Sequence, residues 1–300
     1  MLVAGGTGFI GSAIAGNLAL TRPVAVMTRN AALARKRFET LGLEVDVRQG
    51  DVTDPASLAH HLTDVDTVVQ AVQFTGFPVE SPSRGLTFMD VDADGTRLLV
   101  DAASAQGVHK IVYVSGVGAD PNARQTWFHA KGIAEESIRS SGLPFAIVRP
   151  SWTYGPGDSS LNRFVDILRV LPGVFPQLGP GDQRINPVFI DDVAGLVAQA
   201  VSGDILDGQT VEIGGPEILT LDDIIRVAMR VIGREKPIVH VPLGLARLGA
   251  GLLEMLPGQI LSRDAVEFVT HPAVADLEGL REVLPRLSMV RLADALATYL

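Results

Sequence analysis

The sequence predicts an α/β chain built on a doubly wound parallel sheet, with a smaller, mostly helical C-terminal domain. Three observations predict it. Short apolar runs rich in β-branched residues alternate with helical patterns through the first half, a glycine cluster from Gly5 to Gly11 follows the first run, and after Arg149-Pro150 glycine and proline break the pattern. The 300 residues, 47% apolar and 20% charged, supply a sizeable core and exclude a disordered chain.

Six runs are predicted as buried strands: Met1–Ala4, Val24–Met27, Glu44–Arg48, Thr67–Ala71, Ile111–Ser115 and Phe145–Val148. Helical patterns between them make βαβ units, so the sheet is parallel and covered on both faces. Gly155-Pro156-Gly157, Pro172-Gly173 and Gly179-Pro180-Gly181 then mark a loop-rich segment. Thr210–Ile213 reads as a further strand, returning the chain to the first domain. The expected division is 1–152 with about 192–215 for the sheet domain, and about 153–191 with 216–300 for a smaller substrate or partner-binding domain. Thr220 followed by Asp223 opens an amphipathic helix carrying Leu221, Ile224, Ile225, Ala228 and Ile232. Apolar residues at helical spacing from Leu243 to Leu256 predict a helical cap, which either packs on the sheet domain or lines a pocket for an apolar ligand or partner.

Composition narrows the function classes. Without cysteine there is no disulfide framework, thiolate nucleophile or thiolate metal site, and His60-His61, His109, His129, His240 and His271 lack ligand spacing, so no metal is expected. The 25 Lys and Arg against 34 Asp and Glu give −9, which disfavours a nucleic-acid partner. No uncharged run reaches the ~18 residues that span a bilayer. Met1 to Ala4 leave no room for a signal peptide before Gly5, so a cytoplasmic location is expected, with peripheral membrane contact through the C-terminal domain left open. No Gly-x-Ser-x-Gly elbow is present.

The cluster Gly5-Gly6-Thr7-Gly8-Phe9-Ile10-Gly11 opens a helix carrying Ile14, Ala15 and Leu18. Glycines there permit a tight turn and close backbone approach to a pyrophosphate, while the helix N-terminus offers N–H groups and partial positive charge; in this βαβ context the pattern predicts a Rossmann-type dinucleotide site. The second run ends Met27-Thr28-Arg29-Asn30, with no Asp or Glu until Glu39. A carboxylate would repel a 2′-phosphate and a guanidinium would pair with it, so Arg29 predicts NADP(H), with NAD(H) as the alternative. Arg35-Lys36-Arg37 either add positive potential there or form an exposed helix face, the second being the favoured reading. Gly50-Asp51-Val52 follows the third strand, where Asp51 either reaches the adenine amino group or, like Asp54, caps the next helix.

These residues, together with Tyr113-Val114-Ser115, the helix bearing Lys131, Arg149-Pro150-Ser151, Tyr154-Gly155-Pro156-Gly157 and the run from Asn186 to Val193, resemble the extended and atypical branch of the short-chain dehydrogenase/reductase superfamily. Within it the C-terminal half is similar to the NADPH-binding accessory subunit of respiratory complex I, to NmrA-like proteins and to epimerase/dehydratase proteins. The resemblance implies cofactor contacts from Gly5, Thr7, Gly8, Phe9, Ile10, Gly11, Arg29, Asp51, Val52, Ala71, Lys131, Pro150 and Ser151. It also implies a Ser, Tyr and Lys catalytic unit, with Tyr-x-x-x-Lys on one helix.

Ser115 and Lys131 match that unit, but Trp127 stands four residues before Lys131. An indole donates a hydrogen bond and does not exchange protons near neutral pH. Trp127 either fills the volume substrate would take or stacks on a ligand. Phe128 carries no proton, His129 lies on the opposite helix face, and Tyr113 lies one step deeper in its strand than Ser115. Tyr154 either reaches the cleft or is structural. Lys131 either holds ribose hydroxyls or, if desolvated, acts as a base. Asp191-Asp192 read as a helix cap, and Arg149 with Pro150 as fixing the turn out of the sixth strand. Two functions fit: an NADP(H)-dependent oxidoreductase or epimerase-like enzyme on a small or apolar carbonyl-type substrate, or a non-catalytic NADP(H)-binding structural, assembly or redox-sensing protein.

Overall fold

Alternation along each strand builds the central sheet. In β1 (Leu2–Ala4), Leu2 and Ala4 face one buried layer and Val3 the other. β2 (Ala25–Thr28), β3 (Asp46–Gln49), β4 (Thr67–Gln70), β5 (Lys110–Val114) and β6 (Phe145–Pro150) follow, and β11 (Gln209–Ile213) joins them. All seven are parallel, in the order β11-β6-β5-β4-β1-β2-β3. The result is a doubly wound α/β fold. The computed structural model describes residues 1–76, 79–244 and 271–300.

Helices cover both faces, which is why the inner strands are apolar throughout. On one side Leu58 of α3 (Pro55–His61), Leu99 and Ala103 of α4 (Gly95–Ala105), and Ala134 and Ile138 of α5 (Thr126–Arg139) pack against Met27, Val68, Ile111 and Ile147. On the other, Ile14 and Leu18 of α1 (Phe9–Ala19), Phe38 of α2 (Ala31–Thr40), and Val193 and Val197 of α7 (Ile190–Ser202) meet Val26, Val112 and Val148.

A third apolar cluster forms a second layer of structure. It joins Val165 and Leu168 of α6 (Leu161–Val170), Ile224 and Ala228 of α8 (Leu221–Val231), and Leu292 and Leu296 of α10 (Leu292–Leu296) with Tyr154, Phe175 and Phe189. Three two-stranded ribbons accompany these helices: β7 (Thr153–Tyr154) with β10 (Val188–Phe189), β9 (Arg184–Ile185) with β12 (Leu219–Thr220), and β8 (Phe175–Leu178) with β13 (Ile238–Val241). Helices thus outweigh the short ribbons in this region among the described residues. The predicted cap from Leu243 to Leu256 falls mainly on 245–270, outside them. α9 (Glu278–Val283) lies beside β11.

Local chemistry explains several boundaries. Thr220 and Asp223 form a reciprocal capping box at α8, each side chain accepting the other's backbone N–H. Asp54 caps α3 by accepting the Ala56 N–H at 3.0 Å. Asp191-Asp192 do not cap α7, contrary to the sequence reading: its N-cap is Phe189, both carboxylates sit in the first turn, and Asp192 Oδ2 accepts the Val290 N–H at 2.9 Å. The third strand starts at Asp46, not Glu44, because its pairing with β2 begins where Asp46 meets Ala25. No helix among the described residues is long and apolar enough to cross a membrane.

Candidate functional site

The chain leaves β1 through Gly5, whose φ of +79° favours glycine. A Cβ there would lie 2.7 Å from the Ala71 carbonyl oxygen, and one on Gly11 would overlap the Gly5 carbonyl, so α1 sits hard against the loop. Gly8 is the exposed, extended N-cap of α1; no side chain caps the helix and no acidic residue occupies its first turn. The first-turn N–H groups at Phe9 and Ile10 thus meet no competing side-chain acceptor, and the helix dipole adds to them. A Cβ on Gly8 would meet only the Gly5 carbonyl oxygen, at 3.3 Å. This cradle fits a pyrophosphate.

Beside the loop, Arg29 follows β2, is exposed and donates to Thr75 Oγ1. Arg37 of α2 is exposed, and its Nη1 donates to the Thr7 carbonyl at 3.1 Å, while Thr7 and Thr28 hydroxyls pair at 2.9 Å. Arg37 thus lies against the loop while the Arg29 guanidinium reaches Thr75 after β4, and no carboxylate stands at the end of β2. Asp51 closes a local turn by accepting the N–H and hydroxyl of Thr53 at 2.9 and 2.8 Å, and Val52 is buried against Gly95. Asp51 thus caps no helix. Ala71 extends β4, its N–H bonded to the Ala4 carbonyl. Pro150 and Ser151 are committed to the sheet: Val117 donates to the Pro150 carbonyl, the Ser151 N–H donates to Ile213, and the Ser151 hydroxyl donates to Ala273 at 2.6 Å. Those Ser151 donors are used within the protein.

At the ends of β4 and β5, α5 carries two separate polar networks. Lys131 Nζ lies 3.0 Å from Asp92 Oδ1 and 5.3 Å from the centre of the Tyr113 ring. Asp92 belongs to a π-helical turn, Phe88–Asp94, that runs into α4; its side chain is fully buried and that of Lys131 is 6% exposed. Burial raises the Asp92 carboxyl above its ordinary range while Lys131 pulls it back. Burial works against the Lys131 charge, but Tyr113 and Asp92 outweigh it and hold the ammonium above the usual lysine range. Burial pushes the Tyr113 phenol up to about 12, so it is not an acid/base near neutral pH.

One turn further along α5, Glu135 is fully buried. It accepts from the Ser115 hydroxyl at 2.6 Å, from Arg149 Nε and Nη2 at 2.8 and 2.7 Å, and from Arg139 at 2.6 Å. Arg149 also donates to the Ala119 carbonyl, so it ties β6 to α5 and to the loop after β5. Ser115 and Lys131 are thus neighbours through α5, yet each is bound to its own carboxylate. Trp127 packs its ring edge toward Gly116, where a Cβ would lie 2.6 Å from Cη2, and stacks edge-on with Phe128. His129 turns away, its Nδ1 2.7 Å from the Pro121 carbonyl. Tyr154 lies in β7, fully buried against Phe189.

Asp92 and Glu135 were not singled out from sequence. Glu135 carried a signal, standing four and eight residues after Lys131 and Trp127 on one face of α5. Asp92 carried only the weaker one of a charge between apolar Val91 and Ala93.

An NAD(P)H-binding sequence family matches residues 5–166, more than half of the chain. The 40 kDa subunit of mitochondrial NADH-ubiquinone oxidoreductase of Neurospora crassa is 29% identical over 199 residues, 66% of this chain and 52% of that protein, so the chain spans about half its length. A (4-alkanoyl-5-oxo-2,5-dihydrofuran-3-yl)methyl phosphate reductase of Streptomyces griseus is 28% identical over 264 residues, 86% of this chain and 82% of the reductase. In fold, the chain resembles the UDP-glucuronic acid 4-epimerase of Bacillus cereus, with a TM-score of 0.75 at 19% identity, covering 98% of this chain and 96% of that one. The family match, over more than half of the residues and in accord with the strand order and glycine cradle, carries one conclusion: the chain belongs to the NAD(P)H-binding family.

Proposed function

We propose that the protein binds NADP(H) in preference to NAD(H) and is an oxidoreductase or epimerase-like enzyme acting on a small or apolar carbonyl-type substrate. The observation that carries the cofactor preference is the pair Arg29 and Arg37 beside the glycine loop, with no carboxylate at the end of β2. In this reading α1 and the glycines hold the pyrophosphate, the two arginines pair with the 2′-phosphate, and Lys131 holds the ribose on the nicotinamide side. The bound dinucleotide supplies or accepts a hydride. Trp127 orients substrate by packing and exchanges no proton, so the proton comes from solvent or substrate. Similarity to a reductase over 86% of the chain supports the catalytic half of the reading.

A second reading, a non-catalytic NADP(H)-binding protein, is favoured by one observation. The Ser115 hydroxyl and the Lys131 ammonium are each engaged by a buried carboxylate, beside an indole where the superfamily has a phenol. Titration calorimetry at one salt concentration tests the cofactor assignment: NADPH binds more tightly than NADH, and Arg29→Ala narrows the gap by about 1.5–3 kcal/mol. Equal wild-type affinities overturn it. NADPH oxidation on a panel of small aldehydes and quinones separates the readings, since tight binding without turnover selects the non-catalytic one.

A further inference from the structure

Among the described residues, Lys131 and Asp92 form an ion pair with almost no access to water, their side chains 6% and 0% exposed, at the end of the cleft that α5 borders. In a doubly wound sheet the two halves of a dinucleotide lie on either side of the point where strand order reverses, here between β1 and β4. Arg29 and Asp51 stand on the β2 and β3 side. The other half falls over the ends of β4 and β5, where α5 brings Lys131. An ammonium there would oppose the positive ring of an oxidised nicotinamide and tolerate the neutral reduced ring. Asp92 Oδ1, at 3.0 Å, cancels that charge. The neighbouring charges do not replace it: Glu135 is matched by Arg149 and Arg139, and the Glu80 carboxylate, whose charge is felt at Asp92, is a background common to wild type and variants.

Resting on the dinucleotide reading of the cleft, we propose that Asp92 is a positioning residue that neutralises Lys131 and thereby sets the balance between oxidised and reduced nicotinamide in the bound cofactor. A carboxylate that served packing alone would shift both affinities together. One that cancels charge shifts their ratio, because the two cofactor forms differ by one charge on the ring.

The test is calorimetric titration of NADP+ and NADPH into wild type, Asp92→Asn and Asp92→Asn/Lys131→Met, with no turnover involved. Asp92→Asn leaves the ammonium uncompensated and raises the ratio of the NADP+ to the NADPH dissociation constant on the order of 100-fold, the scale of one charge acting across about 6 Å at an effective dielectric near 20. The double variant, which removes both charges, returns the ratio to near the wild-type value. If Asp92→Asn does not fold, Asp92→Ser, which admits a water beside the ammonium, carries the same expectation. Wild type that binds neither form overturns the dinucleotide reading and this inference with it. Wild type and variant that bind both forms with the same ratio overturn this inference alone.

Discussion

Trp127 is the residue on which the chemistry of the cleft turns, and its environment is specific. Its ring edge lies against Gly116, directly after Ser115, so it closes the space between α5 and the end of β5. Trp127→Tyr restores Tyr-x-x-x-Lys spacing beside Lys131 in a smaller side chain. We expect this variant to raise NADPH-dependent turnover of small aldehydes and quinones by up to about 10²-fold, the lower end of what a positioned proton donor contributes. Stopped-flow absorbance of NADPH checks it, with affinity measured alongside; a fast wild type slowed by the substitution reverses the expectation. At this scale the sequence was legible wherever residues were close along the chain. Trp127, Lys131 and the glycines follow from spacing, but the partners Asp92 and Glu135 depend on a π-helical turn and a β5–α5 contact that no local pattern encodes. The bonds that engage Ser115 and Ser151 were hidden for the same reason.

Among the elements, α1 is the clearest case of a helix whose end is left open for a ligand. Gly8 has φ −67° and ψ 170°, which valine adopts without left-handed strain. Gly8→Val is therefore expected to keep the fold, with a melting temperature close to wild type, and to abolish dinucleotide binding by placing a branched side chain where the pyrophosphate approaches. Differential scanning fluorimetry with and without NADPH checks both halves; retained ligand stabilisation would show that the loop is only a turn. Element identity was well predicted where a device is local. The α8 capping box was readable from Thr220 and Asp223 alone. Asp191-Asp192 misled because an acidic pair in a first turn and a hydrogen-bonded cap look alike in sequence, and only the position of Val290 separates them.

Over the whole molecule, the segment at 271–276 ties the sheet to the third apolar cluster. The buried Asn186 side chain donates to the Ala275 carbonyl at 3.1 Å and accepts its N–H at 2.8 Å, while Ala273 takes the Ser151 hydroxyl and Glu212 accepts the Asp276 N–H. Asn186→Ala removes both partners of Ala275 and leaves buried groups unpaired. We expect a loss of about 2–4 kcal/mol, read as a lowered midpoint in urea; a change below about 0.5 kcal/mol would show that this tie contributes little. The alternation of strand and helix made the sheet legible, because the inner strands are short runs buried on both faces between helical patterns. The ties between distant segments were not, since Ser151 and Ala273 become neighbours only after the chain has returned.

That return has a consequence for synthesis. β6 ends at Pro150, but its outer neighbour β11 begins at Gln209. At ~5–20 residues per second, the intervening stretch takes on the order of 3–12 s to leave the ribosome, and a nascent sheet holding β5 and β6 would meanwhile present an apolar, unpaired edge. Ala146 and Val148, buried in the finished protein, would wait on that rim. How long that edge stays open is thus set by where β11 falls in the message.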